Sequence, residues 1–302
     1  MRRAARAGWL VALVAATVGC ATPDVPRGTA PTYLDAPTRG VPNEAALGRR
    51  IWTPALDEGF VPQGLASAGG HLFVSSYHPS PGPTSNTGPC RVFRIDAQTG
   101  RTTGTFDLPE GDCTHSGGLA WLRDGTLLLA DTHRLFRIDV ERALATGRAA
   151  GAMQTFALAG RLRGSFATFD GTDMWIGTWT KHAPDARMYR LSTKLFDQYD
   201  GRTVDDSLAL ESIAIPVECQ GAAVDASGRF WVSASNGQWG RLYRIGRHGE
   251  IEAQYEMVAG LEDLTIDAAG NLWGLSESGT RKYLRWPTKY PYIFRIDVGR
   301  LE

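Results

Sequence analysis

One short phrase occurs five times in this chain of 302 residues: Arg91–Asp96 (RVFRID), Arg134–Asp139 (RLFRID), Arg187–Ser192 (RMYRLS), Arg241–Gly246 (RLYRIG) and Tyr292–Asp297 (YIFRID), 43 to 54 residues apart. A repeat of this length means one structural unit stacked several times, with a core shared between neighbours. Within each phrase polar and apolar residues alternate, which is the period of a half-buried strand.

Two further patterns precede each phrase. Leu72–Ser75, Leu127–Ala130, Met174–Gly177, Phe230–Ser233 and Leu272–Leu275 are apolar runs of strand length, each behind a glycine turn (Gly69-Gly70, Gly125, Gly171, Gly228, Gly270). Ahead of those turns lie small-residue segments: Gly64–Ala66, Gly118–Ala120, Phe166–Thr168, Gly221–Val224 and Leu264–Ile266. Small side chains suit an innermost strand crowded around an axis. Fourth strands fit at Thr102–Leu108, Ala152–Leu158 and Ile251–Met257, and a short helix at Val140–Thr146. Four strands in about 50 residues is the grammar of a propeller blade. The expectation is an all-β, five-bladed propeller over 49–302, a sixth divergent blade being the alternative. The fifth blade runs out of chain before its last strand. The stretch at Arg50–Pro54 is expected to supply it and close the ring, removing the sheet edges.

The Gly-Leu-Ala, Asp-x-x-Gly-Asn-Leu-Trp and Phe-Arg-Ile-Asp phrases resemble the NHL-repeat and gluconolactonase-type propellers across 50–302. That resemblance implies a site on the channel-mouth face and, in the gluconolactonase group, a divalent metal held by Glu, Asn and Asp. Val61–Leu65 (VPQGL) more faintly resembles the opening phrase of plant-type glutaminyl cyclases, which implies metal-free catalysis.

The N-terminus reads as an address. A basic start (MRRAAR) precedes the apolar run Trp9–Val18, which is about half of the roughly 20 residues that span a bilayer. The run ends at Gly19-Cys20, which resembles a bacterial lipoprotein cleavage box, with Thr17 where leucine is usual. Residues 1–19 are thus expected as a signal peptide and Cys20 as a lipidated N-terminus, placing the protein in the cell envelope. Residues 20–48, with Pro23, Pro26, Pro31, Pro37 and Pro42, are expected as an extended tether. The 32 basic residues balance the 32 acidic ones, which argues against a nucleic-acid partner. The partners expected are the membrane through the lipid, and a small molecule or envelope protein. An oxidising compartment permits a disulfide. Cys90–Cys113 is the preferred pair and Cys113–Cys219 the alternative.

In a propeller the loops between second and third strands, and those leading into each first strand, share one face around the channel. Long loops on one face are where function usually sits. Gln63, His78, Asp131, His133, Trp179, Gln220, Asn236, Trp239, Glu277 and Arg281 are the ligand-binding candidates there. His115, Glu262 and Asp263 are the catalytic candidates, His115 as a general base. Glu218, Asn236, Glu262 and Asp263 offer oxygen ligands for a hard cation such as calcium. The loop Glu277–Pro291 adds Arg281, Lys282, Arg285 and Lys289 among Tyr283, Trp286 and Tyr290, a composition suited to clamping an anionic or sugar-like ligand. Trp175, Trp231 and Trp273 recur at one blade position and read as packing. Arg94, Arg137, Arg190, Arg244 and Arg295 read as links between blades. The favoured function is ligand binding at the channel mouth. A metal-dependent hydrolase or lactonase and a metal-free enzyme of glutaminyl cyclase type are the alternatives.

Overall fold

The computed structural model describes residues 25–82, 85–198 and 203–302. It forms five antiparallel sheets, each led by one small-residue strand. Blade 5 opens the chain with β1 (Leu47–Trp52). Blade 1 holds β2 (Val61–Ala68), β3 (His71–Tyr77), β4 (Cys90–Asp96) and β5 (Thr102–Asp107). Blade 2 holds β6 (Gly118–Trp121), β7 (Thr126–Asp131), β8 (Arg134–Asp139) and β9 (Met153–Leu158). Blade 3 holds β10 (Phe166–Phe169), β11 (Asp173–Gly177) and β12 (Arg187–Ser192). Its chain then detours through β13 (Thr203–Val204), which pairs parallel with β9 of blade 2, before returning as β14 (Glu211–Ala214). Blade 4 holds β15 (Cys219–Val224), β16 (Phe230–Ser235), β17 (Gly240–Ile245) and β18 (Ile251–Met257). Blade 5 is completed by β19 (Leu261–Ile266), β20 (Leu272–Ser276) and β21 (Tyr292–Ile296), with β1 on the outside of β21. The five-bladed ring and its closure by an N-terminal strand match the sequence reading, as does the helix α1 (Val140–Thr146), capped by Asp139 and stopped by left-handed Gly147.

The innermost strands pack edge against edge, and their small residues are a steric requirement. A Cβ on Gly64 would lie 2.8 Å from the backbone of Gly118, and one on Gly118 would lie 2.4 Å from that of Ala167. Apolar faces of β2, β3 and their counterparts fill the gaps between blades. Trp175, Trp231 and Trp273 are buried there, and the indole N–H groups of Trp175 and Trp273 donate to Asp170 and Asp267. The repeated arginines differ from expectation: most pair within their own blade. Arg137 meets Asp124 at 2.6 Å, Arg190 meets Glu211 at 3.5 Å and Arg244 meets Glu252 at 3.0 Å. Arg94 and Arg137 also reach Glu141 and Asp197, across to the following blade.

The proline-rich stretch also departs from a free tether in its described part. Arg27 forms a parallel bridge with Ile51, extending blade 5 outward. Thr32 donates to Asp57, Tyr33 to the carbonyl of Gly279 and the Thr38 amide to the carbonyl of Lys289, while Asn43 donates to the carbonyl of Glu256. Residues 25–48 are therefore part of the domain surface; the signal segment and Cys20 lie outside the described residues. Cys90 and Cys113 form the preferred disulfide, with Cα atoms 5.8 Å apart, and Cys219 is a buried free thiol.

Candidate functional site

Three of the five blades carry a register irregularity at the mouth end of the innermost strand. Pairing skips Gln63 in β2, Gln220 in β15, and Glu262 with Asp263 in β19. A bulge bends the strand and re-aims a side chain, and bulges concentrate beside functional sites. Here they turn Gln63, Gln220 and Glu262 toward one another. The Gln63 amide donates to Glu277 at 2.8 Å and the Gln220 amide donates to Glu262 at 3.1 Å. Glu262 and Glu277 are hydrogen-bonded to each other, and both are buried.

Two carboxyl groups in contact cannot both ionise at ordinary cost. Burial pushes Glu277 up to about 7, against the opposing Gln63 hydrogen bond and Lys282 charge. Burial and the charge of Glu277 push Glu262 well above the usual range. Glu262 therefore keeps the shared proton, and Glu277 accepts it.

Asp263, the next residue, has a different use. Its carboxylate accepts the backbone amides of Leu65 at 2.9 Å, Leu119 at 3.0 Å and Leu264 at 2.9 Å, and the amide of Ala222 also points at it. These belong to four blades. Burial raises its pKa and the amides oppose that; the ionised form is the one in which every contact is satisfied. Asp263 is an axial peg, with both oxygens already engaged. On its far side a funnel of about 1230 Å³ opens at the opposite face, lined by Leu119, Leu264, Ala120, Ala223 and the turn residues Arg123 and Arg247.

Above the carboxyl pair, the loop Glu277–Pro291 folds over as a flap. Tyr283 lies 3.4 Å, hydroxyl to hydroxyl, from Tyr77, and its ring stacks on Trp286 at 4.0 Å. Trp286 in turn lies against the bare Cα of Gly237, where a Cβ would come within 2.6 Å. Lys282 donates to the Tyr77 hydroxyl at 2.8 Å and to the Ser85 carbonyl and Asn86 side chain. Its ammonium lies 5.0 Å from the Tyr77 ring centre and 5.2 Å from that of Tyr283. Burial lowers the Lys282 pKa while Glu277 raises it. Burial and the Glu277 charge hold both tyrosines above the ordinary phenol range. Tyr33 and Thr38 fasten the flap from outside. Beside it lies an open groove of about 460 Å³ lined by Lys181, Asn236, Gln238, Arg285 and Trp286.

The remaining candidates are distributed around this centre. His115 lies at its edge, ring centre 4.9 Å from Tyr77, with Nδ1 donating to the Asn86 carbonyl at 2.6 Å; burial lowers its pKa. Asp131 caps the loop into blade 2, accepting the amides of Thr114, His115 and Ser116. His133 is exposed on its turn, away from the buried Asp131 carboxylate's amide partners. His78 sits outward against Phe60 and the Glu58 carbonyl. Arg281 reaches away to Asp57 and Tyr33. Trp179 is 41% exposed, and Trp239 lies under the Arg241 guanidinium. The expected metal set does not converge. Glu218 is bound to Asn236 at 3.3 Å and faces Lys181 at 3.7 Å, Glu262 belongs to the carboxyl pair and Asp263 to the amides. Among the described residues no group of three or more His, Cys, Asp or Glu is arranged to hold a metal ion, so these residues do not fit one. The sequence reading groups Lys282 and Tyr283 in a basic and aromatic loop but does not link them to Glu277. The signal that could have done so is their spacing of five and six residues from it.

No family model matches the chain, and no curated protein matches it. Solved structures similar to it include the PQQ-bound aldose sugar dehydrogenase of Streptomyces coelicolor, at 19% identity over 73% of this chain and 78% of that one, TM-score 0.43. Virginiamycin B lyase of Staphylococcus aureus is similar at 14% identity over 76% and 67%, TM-score 0.40. Kuenenia stuttgartiensis hydrazine synthase is similar at 12% identity over 71% of this chain, TM-score 0.41, and this chain spans only 55% of its length. At these identities and TM-scores the likenesses carry no reading of what the chain does; the five-bladed β-propeller rests on the chain's own five sheets.

Proposed function

We propose that this propeller is an exported protein that binds a small ligand at its channel mouth, under the flap. The observation that carries the reading is the buried Glu262–Glu277 pair, held by Gln63 and Gln220 from two other blades. Bulges, buried polar groups and a folded-over loop are concentrated where no core packing requires them. A thermal-shift screen of the mature domain against small polar metabolites tests this. Hits are expected to raise the melting temperature, and the rise is expected to vanish in Glu277→Gln and Gln220→Ala. Shifts that persist in both variants would overturn the assignment of the site.

A second reading is metal-free acid–base catalysis at the same place. The specific support is Glu277, which at about 7 is poised to exchange a proton near neutrality. Kinship with NHL-repeat and gluconolactonase-type propellers rests on the repeated phrases, without the metal set of the latter. Export and lipid anchoring rest on residues 1–20, supported by the Cys90–Cys113 bridge, which belongs in an oxidising compartment. Loss of the protein from the membrane fraction in Cys20→Ser tests the anchor.

A further inference from the structure

We propose that the ligand taken at the channel mouth is a small organic ammonium ion, and that Lys282 occupies its place in the closed protein. The inference rests on the mouth being the binding site and goes on to name the ligand class. The Lys282 ammonium shows which group this space accepts. It is bound by a phenol oxygen, a carbonyl and an amide oxygen, with two tyrosine rings at 5.0 and 5.2 Å and the charge of Glu277 behind it. Aromatic faces with a carboxylate are the chemistry that recognises ammonium groups.

Lys282 rides on the flap. Lifting the flap to admit any ligand carries the ammonium away and leaves Glu277 without its cation, beside the protonated Glu262. An uncompensated buried charge is costly, so an incoming cation replaces what the flap removes. With a neutral ligand Glu277 takes up a proton instead, whereas a cation holds it ionised and an anion is repelled by any charge it keeps. The cations Lys181 and Arg285 belong to the outer groove and do not meet the pair. Hydroxyl groups remain available there. Ser235 is 1% exposed and Thr280 fully buried, and neither side-chain hydroxyl has a hydrogen-bond partner among the described residues. Strand alternation puts Ser235 on the face of Ser233, whose hydroxyl donates to the Glu262 carbonyl. Thr280 sits on the flap turn, its amide bonded to the Glu277 carbonyl.

Calorimetric titration of the mature domain with n-butylammonium, 1-pentanol and pentanoate tests the proposal in the wild type, Lys282→Met and Glu277→Gln. Lys282→Met keeps the length of the side chain and removes the internal competitor. Butylammonium is expected to bind, to bind about tenfold tighter in Lys282→Met and at least tenfold weaker in Glu277→Gln, with pentanol and pentanoate unaffected by the lysine change. If pentanol or pentanoate binds as well as the ammonium ion and loses affinity in Glu277→Gln, the ammonium class is overturned while the mouth remains a binding site. If all three probes tighten equally in Lys282→Met, the lysine is a latch and not a placeholder, which also overturns the proposal. If no probe binds the wild type or Lys282→Met, or binding ignores Glu277→Gln, both this proposal and the mouth reading fail.

Discussion

The carboxyl pair makes stability depend on pH in a defined direction. In the unfolded chain Glu277 titrates near its ordinary 4.5; in the folded protein it titrates at about 7. Between these values the folded state holds a proton that the unfolded state releases. The stability due to this group is therefore complete below the unfolded value and is lost as pH rises through the folded one. The displacement from 4.5 to about 7 corresponds to about 3 kcal/mol. For a domain of this size that is roughly 6–12 °C in melting temperature. His115 acts in the opposite sense: burial lowers its pKa, so its contribution grows as pH rises through the histidine range. Comparing variants at each pH removes that background. Urea unfolding from pH 4.5 to 8.5 at fixed ionic strength is the assay. Wild type is expected to lose about 3 kcal/mol relative to Glu277→Gln across the range. The double variant Glu262→Gln, Glu277→Gln is expected to show the flattest profile. Parallel curves for wild type and Glu277→Gln would refute the buried, proton-sharing pair, whatever the absolute stabilities.

Three further outcomes follow from the packing. Asp263→Ala leaves four backbone amides without their acceptor and is expected to cost at least about 3 kcal/mol; a loss under about 1 kcal/mol in urea unfolding would contradict the axial peg. Gly118→Ala drives a Cβ to within 2.4 Å of the Ala167 amide and is expected to cost about 1–3 kcal/mol, seen as a lower denaturation midpoint. Reducing Cys90–Cys113, which closes a loop with a sequence separation of 23, is expected to cost about 3 kcal/mol, measured as the difference between oxidised and reduced melts.

The blades were legible because a half-buried strand alternates polar and apolar residues, a strand packed on both faces is an unbroken apolar run, and an innermost strand must stay small. Gly64 and Gly118 satisfy contacts that admit no Cβ, so the chemistry of the residue and its place in the ring are one fact. The ring closure was legible because blade 5 lacked a strand and Arg50–Pro54 could supply one. The docking of residues 25–48 was not legible. It depends on backbone and hydroxyl hydrogen bonds, such as that from the Thr38 amide to the Lys289 carbonyl, which leave no hydrophobic period behind. Proline content reads as extension, and extended chain can lie along a surface as readily as leave it.

The site was legible in its location and only partly in its roles, and the repeat itself holds the rest. At the mouth of the innermost strands, blades 1, 2 and 4 read Gln63-Gly64, Gly117-Gly118 and Gln220-Gly221, where blade 5 reads Glu262-Asp263. The glycines let neighbouring strands touch; an aspartate in their place is too large to be accidental, and its carboxylate fills the axis that the glycines surround. The glutamate beside it replaces an amide with an acid, and the amides of the other blades then become its donors and those of Glu277. In a repeat protein the common residues report what every blade needs to pack. Blade 3 departs with Phe166, which packs into the core; the departures in blade 5 serve no such packing, and both fall at the bottom of the mouth, beneath the flap that carries Lys282.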